Sequence, residues 1–236
     1  MVADSKTKKY ALYAHLKKSI MTLAMVPGSS LDEAGLSQDF DLSRTPLREV
    51  FRDLAGEGYI DLHQNRGARV SEMSHNSLRD FFQAAPMIYG AIMRLAAQNA
   101  SSDQIVDLKA AQSQFKSSLS NGQAADRALA NNKFHEITGQ MAGNIYLLPS
   151  FHRLLIDHAR IGMTFYRLQT NGIDENLTKA SAQHDDIIAA IEAKDEAQAA
   201  LLADSHWALS RNQIESFVMP TGLDLPLGAT ISRAFA

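Results

Sequence analysis

The spacing of apolar positions between residues 42 and 71 changes from a helical period to an alternating one. Four apolar residues recur at i, i+3, i+4 and i+7, which predicts a helix with one buried face. These residues are Leu47, Val50, Phe51 and Leu54. The alternating segment that follows predicts two short strands, at residues 59–62 and 68–71.

Local signals frame the predicted helix. Ser43 is expected to be its N-cap, with the hydroxyl accepting a free backbone N–H, and Pro46 falls in the first turn, where a missing donor costs little. Gly56 and Gly58 supply the permissive backbone that ends a helix. The helix should therefore occupy roughly residues 44–57.

Two further helices are predicted upstream. Residues 10–25 carry apolar side chains at helical intervals and stop at Pro27-Gly28, and residues 32–38 are long enough for one short helix. Three helices followed by a two-stranded hairpin make a winged helix-turn-helix.

Basic side chains lie on a different face of the third helix from its apolar residues. Arg44, Arg48 and Arg52 are four apart, and Thr45 lies beside the first of them. The first turn of a helix can reach base edges in the major groove, where arginine pairs with guanine. This face predicts DNA binding; a winged helix that binds only other proteins is the alternative.

From Ser77 onward the pattern becomes helical throughout. Five breaks with cap and turn residues divide this part into about six helices. The breaks fall at residues 101–103, 120–122, 143–144, 171–172 and 193–195. We therefore predict a mainly α protein: a winged helix-turn-helix domain at residues 1–71, an all-α helical bundle at residues 77–217, and a tail at residues 218–236.

Composition narrows the class of protein. The 236 residues are 45% hydrophobic, enough to bury two cores, and contain no cysteine. The net charge of −3 hides an uneven distribution, because residues 1–76 hold ten basic and ten acidic side chains while the remainder holds thirteen and sixteen. The chain has no apolar run of about 18 residues and no signal-peptide pattern at its start. These features predict a cytoplasmic protein with no membrane partner.

A possible metal site appears in the helical part. Asn131 and His135 are four apart and share a helix face, while His184 and His206 fall in the last two helices. Three imidazoles and one oxygen suit zinc, nickel and related divalent ions. The alternative is that these histidines are exposed or satisfied within the core.

The N-terminal part resembles the GntR family of bacterial transcription regulators. The resemblance rests on Pro27-Gly28, residues 42–49, Leu54, residues 57–59, Arg66-Gly67 and Val70. It implies that Arg44, Thr45 and Arg48, at the start of the recognition helix after Ser43, contact DNA, and that the wing near Arg66 and Gly67 enters the minor groove. Residues 31–34 lack the basic residue that relatives often place in the second helix, so no contact is carried over from there.

The helical part resembles the FCD effector domain of the FadR branch of that family, at residues 134–135, 142–144, 184–191 and 195–206. The resemblance implies a divalent metal ion at His135, His184 and His206, with Asn131 in place of the usual Asp. Asn131 brings an oxygen but no negative charge, which should weaken metal binding.

The effector region departs from the family pattern. Ala85 and Tyr89 stand where many members carry an arginine and a glutamate. Arg153, Arg160 and Arg167 are seven apart and could supply a cation instead, or could form a solvated basic face. We take Arg160, among apolar neighbours, and Tyr89 as the candidate effector-binding residues.

Together these features predict a ligand-responsive regulator, such as a repressor. It would bind a pseudo-palindromic operator as a homodimer and respond, through an effector-binding and dimerisation domain at residues 77–217, to a small metabolite such as an organic acid. The alternative is a metal-dependent enzyme that uses the histidines and carries an ancillary winged helix. No nucleophile with its base and no HExxH motif is present in the sequence, which disfavours catalysis.

Overall fold

The computed structural model of the chain describes residues 2–64, 67–167 and 175–218. Arg66, predicted to lie in the wing, and the predicted tail beyond Val218 lie outside the described residues. Within these ranges the protein is mainly α-helical, with a small two-stranded sheet near the N-terminus. The predicted fold class is confirmed.

The N-terminal domain, which we call the head (residues 2–71), has the predicted order of elements. These are α1 (Val2–Met21), α2 (Glu33–Asp39), α3 (Arg44–Glu57), β1 (Ile60–His63) and β2 (Gly67–Val70). The strands are antiparallel, with Ile60 opposite Val70 and His63 opposite Gly67. Both strands lie within one residue of their predicted limits. The head is therefore a winged helix-turn-helix.

The core of the head forms where the apolar faces of α1 and α3 meet. Leu12, Leu16 and Ile20 of α1 are fully buried, and the four predicted apolar residues of α3 are buried with them. Gly58 ends α3 in the left-handed conformation, at φ 88°, which residues with a Cβ rarely adopt. This turn directs the chain from the recognition helix into β1.

The remaining described residues form a bundle of six helices, as predicted. They are α4 (His75–Asn99), α5 (Ser102–Asn121), α6 (Ala124–Ala142), α7 (Leu148–Arg167), α8 (Glu175–Glu192) and α9 (Glu196–Val218). Ser74 and Ser101 begin α4 and α5 with capping boxes, in which serine side chains accept backbone N–H groups. No helix in the described part of the chain is both long and apolar enough to cross a membrane.

Helix α7 packs against both domains. Its residues Phe151 and Leu155 belong to the core of the bundle, whereas Ile156 and Ala159 belong to the core of the head. Nearly every residue from Leu154 to Ile161 is consequently buried. The helix forms the wall between the head and the bundle.

Candidate functional site

The start of α3 presents a polar surface to solvent. Arg44, Thr45 and Arg48 are all exposed, on the side of the helix away from its buried residues. The structure thus gathers three of the predicted DNA-contacting residues on one accessible face. Backbone N–H groups at the same helix start also favour a phosphate.

Ser43 is the N-cap of α3 by backbone conformation, but its hydroxyl makes no capping hydrogen bond. This corrects the expectation that the hydroxyl accepts a backbone N–H. A capping side chain commonly bonds to the N–H three residues later, and Pro46 at that position has none. The exposed hydroxyl of Ser43 is left facing solvent beside Arg44 and Thr45.

A cleft of about 570 Å³ separates α3 from the wing. Arg48 and Arg52 line one side, and Leu62, His63 and Gly67 of the wing line the other. Glu33 of α2 also lines it, with Oε2 lying 3.6 Å from Nε of Arg48. Arg48 and Glu33 thus lie at the same cleft, with Gly67 of the wing also in its lining.

Three imidazoles from three helices meet inside the bundle. His135 lies on α6, His184 on α8 and His206 on α9, and one nitrogen atom of each lies within 4.8 Å of the others. All three side chains are buried. We call these residues the imidazole cluster. Asn131, the fourth predicted ligand, is buried one turn before His135 on α6.

Gln112 of α5 fixes the tautomer of His184. Its amide nitrogen donates hydrogen bonds to the carbonyl oxygen of Ser181 at 2.8 Å and to Oδ1 of Asp185 at 3.1 Å. The amide oxygen therefore faces Nδ1 of His184, 2.9 Å away, and accepts its proton. In neutral His184 the lone pair must then lie on Nε2.

The lone pairs of His184 and His206 point at each other. Nδ1 of His206 lies 3.1 Å from the amide oxygen of Gln183, so this nitrogen donates and Nε2 holds the lone pair. The two Nε2 atoms are 3.3 Å apart. Two nitrogen ligands of a tetrahedral zinc ion, each about 2.0–2.1 Å from the metal, lie about 3.3–3.4 Å apart.

His135 has two buried ring nitrogens without a hydrogen-bond partner among the described groups. Buried polar atoms in proteins are nearly always satisfied, so such an atom calls for an explanation. A cation between the three imidazoles would accept a lone pair of His135 together with the Nε2 lone pairs of His184 and His206. The donor set of the cluster therefore fits a divalent metal ion.

Burial keeps these imidazoles neutral. Desolvation lowers the pKa of His206 from 6.5 to about 3, and it also lowers the pKa of His135 and His184 well below 6.5. The neighbouring imidazoles add to this effect, because each positive ring would repel the next. Neutral imidazole is the form that coordinates a metal ion.

A fourth imidazole, that of His158 on α7, lies beside the cluster and was not among the predicted site residues. Its ring centroid is 4.9 Å from that of His135, and its Nδ1 is 2.6 Å from the hydroxyl oxygen of Tyr89. Desolvation lowers the pKa of His158 to about 4. The sequence does not point to His158, because a single histidine in an apolar helix has no partner at a regular spacing. Gln112 and Gln183 likewise stand in no recognisable pattern, so sequence reasoning missed them.

Of the two predicted effector residues, the structure brings only Tyr89 to the cluster. The ring of Tyr89 packs edge-on against His135 and Phe151, with centroid distances of 5.7 and 5.0 Å. Arg160 lies two residues beyond His158, about 200° around α7. Its guanidinium bonds to Asp157 and to Ser71 of the head.

Two family models match the chain. The model described as "Bacterial regulatory proteins, gntR family" matches residues 8–70, and the FCD domain model matches residues 80–209. The predicted resemblance is confirmed in both parts. The matched segments coincide with the head and with most of the bundle.

Curated relatives carry the names of regulators. HTH-type transcriptional repressor RspR of Escherichia coli K12 is 29% identical over 131 residues, which is 56% of this chain and 58% of RspR. The chain thus matches less than two thirds of that relative's length. HTH-type transcriptional repressor GlaR of the same strain is 27% identical over 199 residues, covering 82% of this chain and 90% of GlaR. Both relatives are named as transcriptional repressors.

Solved structures agree on the fold. E. coli McbR/YncC superimposes with a TM-score of 0.73 at 16% identity, covering 88% of this chain and 98% of that protein. A putative transcriptional regulator GntR from Rhodococcus sp. RHA1 superimposes with a TM-score of 0.65 at 15% identity, covering 88% and 97%. At such low identity the likeness concerns the fold alone.

Proposed function

Because the chain belongs to the gntR family of bacterial regulatory proteins and carries an FCD domain, we propose that it is a cytoplasmic transcription regulator that binds double-stranded operator DNA as a homodimer. A small-molecule effector in the bundle, bound together with a divalent metal ion, controls that binding. The relatives RspR and GlaR are named as repressors, and repression is the outcome we assign.

One observation carries the DNA-binding role: the exposed cationic start of α3 beside an accessible wing. Arg44 and Arg48 are exposed at the start of α3, beside its buried face. A recognition helix in this position enters the major groove with its N-terminal residues against the bases, while the wing at Gly67 lies over the neighbouring backbone. Arg66 lies outside the described residues, and as the sequence neighbour of Gly67 it would add a further cation.

The homodimer follows from the geometry of operators. A helix-turn-helix module reads a short half-site, and two modules related by a two-fold axis read a pseudo-palindrome. Helices α4 and α9 pack together and leave Met87 and Leu201 largely exposed. Apolar side chains on two adjacent helices provide a surface on which a second copy can pack.

The imidazole cluster is the proposed metal site. His184 and His206 hold their Nε2 lone pairs towards each other, and His135 adds a third nitrogen without a protein partner. Asn131, buried one turn before His135, would add its carbonyl oxygen. Gln112 and Gln183 keep the imidazoles of His184 and His206 in the tautomer that leaves Nε2 free to bind a metal. Zinc or nickel matches three neutral nitrogen donors.

A bound divalent ion supplies positive charge and open coordination positions for an oxygen of the effector. The side chains around the cluster are neutral and aromatic: Tyr89 and His158 form a hydrogen-bonded pair beside it, and Trp207 packs against Tyr89. With no carboxylate among the three imidazoles, the ion would keep its full charge. An organic acid is therefore the effector class that we propose.

Replacing Arg48 with Ala tests the DNA-binding role. The probe is a duplex selected by the full-length protein from a random-sequence library. We expect the affinity of the variant for this duplex to fall by about 1–3 kcal/mol at matched salt, because Arg48 would lose a base or phosphate contact. The matched control is Arg94→Ala, an exposed arginine on α4 that should leave affinity unchanged.

Light scattering of the complex gives the stoichiometry, and two chains per duplex is the expected value. Equal affinity of the Arg48→Ala variant and the parent, with a folded variant, would exclude the proposed docking. One chain per duplex would instead reject the homodimer and leave DNA binding intact.

A further inference from the structure

Three arginines of α7 contact the head at three separate points. Arg153, Arg160 and Arg167, which we call the arginine row, are seven residues apart and lie along one side of the helix. Nη2 of Arg167 donates to the backbone oxygen atoms of Thr22 and Leu23, at 2.9 and 3.3 Å, just after α1 ends. Arg167 therefore connects the bundle to the head at the end of α1.

The side chain of Arg153 lies against the end of the recognition helix. A Cβ built on Gly58 would come within 2.7 Å of Nε of Arg153, so the arginine occupies the space that glycine leaves. Arg153 also bonds to Asp157, with 3.0 Å between Nη1 and Oδ2. Contact with Gly58 places the row directly behind the turn from α3 into β1.

Arg160 is the centre of the row. Its side chain is fully buried, and it donates to Oδ1 of Asp157 at 3.2 Å and to the hydroxyl oxygen of Ser71 at 2.9 Å. Ser71 is buried at the end of the wing. A buried charge is costly unless its partners are in place, so Arg160 strongly favours one position of Ser71 relative to α7.

The opposite side of α7 contacts the imidazole cluster. His158 lies between Asp157 and Arg160 in sequence but on the other side of the helix, with its ring beside His135 and its Nδ1 bonded to Tyr89. A shift of α7 by a fraction of an ångström would therefore alter both surfaces together, because the helix is packed on both sides.

We propose that α7 links the imidazole cluster to the head: the arginine row positions the head for operator binding, and His158 makes that position depend on what the cluster holds. Arg160 is thus a positioning residue of the interface between the domains and does not bind the effector. The link to the cluster and the use of the head on an operator rest on the proposed function, whereas the positioning of the head by the arginine row does not.

Hydrogen exchange of the full-length protein tests the positioning role without DNA or metal. In Arg160→Gln we expect amides of residues 58–71 to exchange about tenfold faster, because the head loses its buried anchor, while amides of α8 stay within about twofold of the parent. Arg94→Gln on α4 is the control and should change neither. Exchange at residues 58–71 equal to that of the parent would overturn the positioning role.

Ser71→Ala keeps the test decisive if Arg160→Gln does not fold. This milder change removes the same hydrogen bond from the head side and leaves the ion pair between Asp157 and Arg160 in place. It should raise exchange at residues 58–71 in the same direction by a smaller factor. Circular dichroism establishes that each variant is folded before the comparison.

Zn²⁺ alone is the probe for the link to the cluster. We expect Zn²⁺ to change the affinity of the parent for the selected duplex by about fivefold or more, the usual lower range of allosteric coupling. Arg160→Gln should bring this ratio close to one while its affinity for Zn²⁺ stays unchanged. Arg160→Lys, which keeps the charge but cannot bond to Asp157 and Ser71 with a planar fork, should restore part of the ratio.

The possible results of the zinc and duplex measurements have different consequences. A parent-like ratio in Arg160→Gln, or a parent that binds Zn²⁺ with no effect on the duplex, would overturn the link through α7. A parent that binds neither Zn²⁺ nor any selected duplex would count against the proposed function, and the exchange measurement would still decide whether the arginine row positions the head.

Discussion

At the scale of single residues, the properties of the imidazole cluster depend on the amide groups around it. The three nitrogens that we propose as metal ligands belong to histidines, but Gln112 determines which nitrogen of His184 carries the proton. Its own orientation is set by Ser181 and Asp185 on α8. Side chains that never touch the metal are thereby expected to control how well it binds.

Replacing Gln112 with Leu should weaken binding of Zn²⁺ by about 10–100-fold, the usual effect of removing a partner of a ligating histidine. The affected quantity is the zinc dissociation constant of the full-length protein, measured by competition with a chromogenic chelator. Gln114→Leu, an exposed change on the same helix, is the control. Equal zinc affinity of the two variants would show that Gln112 only packs.

At the scale of secondary-structure elements, the two glycines near the end of the recognition helix differ in how much they would tolerate a side chain. Gly58 adopts φ 88° and lies against Arg153, whereas Gly56 lies within α3 with open space around it. A methyl group at Gly58 would meet both an unfavourable conformation and a neighbouring side chain. One at Gly56 would meet neither.

Gly58→Ala should lower the free energy of unfolding by at least about 1–2 kcal/mol, the cost of the left-handed conformation for a residue with a Cβ. Gly56→Ala should raise it by about 0.5–1 kcal/mol, because alanine favours the helix. Thermal unfolding followed by circular dichroism compares the two with the parent. A stabilised Gly58→Ala variant would contradict the described end of α3.

At the scale of the whole molecule, burial of neutral imidazoles makes the stability of the metal-free protein depend on pH. The pKa of His158 is about 4 in the folded protein and about 6.5 in the unfolded chain. Between these two values only the unfolded chain binds the proton. Acid therefore favours unfolding, and stability is lost as the pH falls from 6.5 towards 4.

Replacing His158 with Gln should reduce the slope of unfolding free energy against pH by up to about 1.4 kcal/mol per pH unit within this window. His152→Gln, at an exposed position of the same helix, should leave the slope unchanged. Urea unfolding of chelator-treated protein at several pH values provides the measurement. Identical slopes for the two variants would show that His158 is not buried in its neutral form.

Local pattern determined much of the fold. The apolar period of α3, the positions of the hairpin strands and four of the five breaks between the later helices follow from neighbours within a few residues, and these predictions are confirmed. The fifth predicted break, at residues 171–172, lies outside the described residues. One local prediction was wrong: the hydroxyl of Ser43 does not cap α3, because Pro46 removes a donor. The metal set came from resemblance to a family, since the spacing of histidines alone left both alternatives open.

Only the tertiary structure decided which side of α7 contacts the bundle and which side contacts the head. From Leu154 to Ile161 every residue of α7 is buried, so the hydrophobic pattern of this stretch does not distinguish the side facing the bundle from the side facing the head. Packing of distant segments turns Arg160 towards Ser71 and His158 towards Tyr89. Side chains two residues apart thus enter different environments because α7 lies between two cores, and contacts across 69 to 89 residues of sequence carry no local signal.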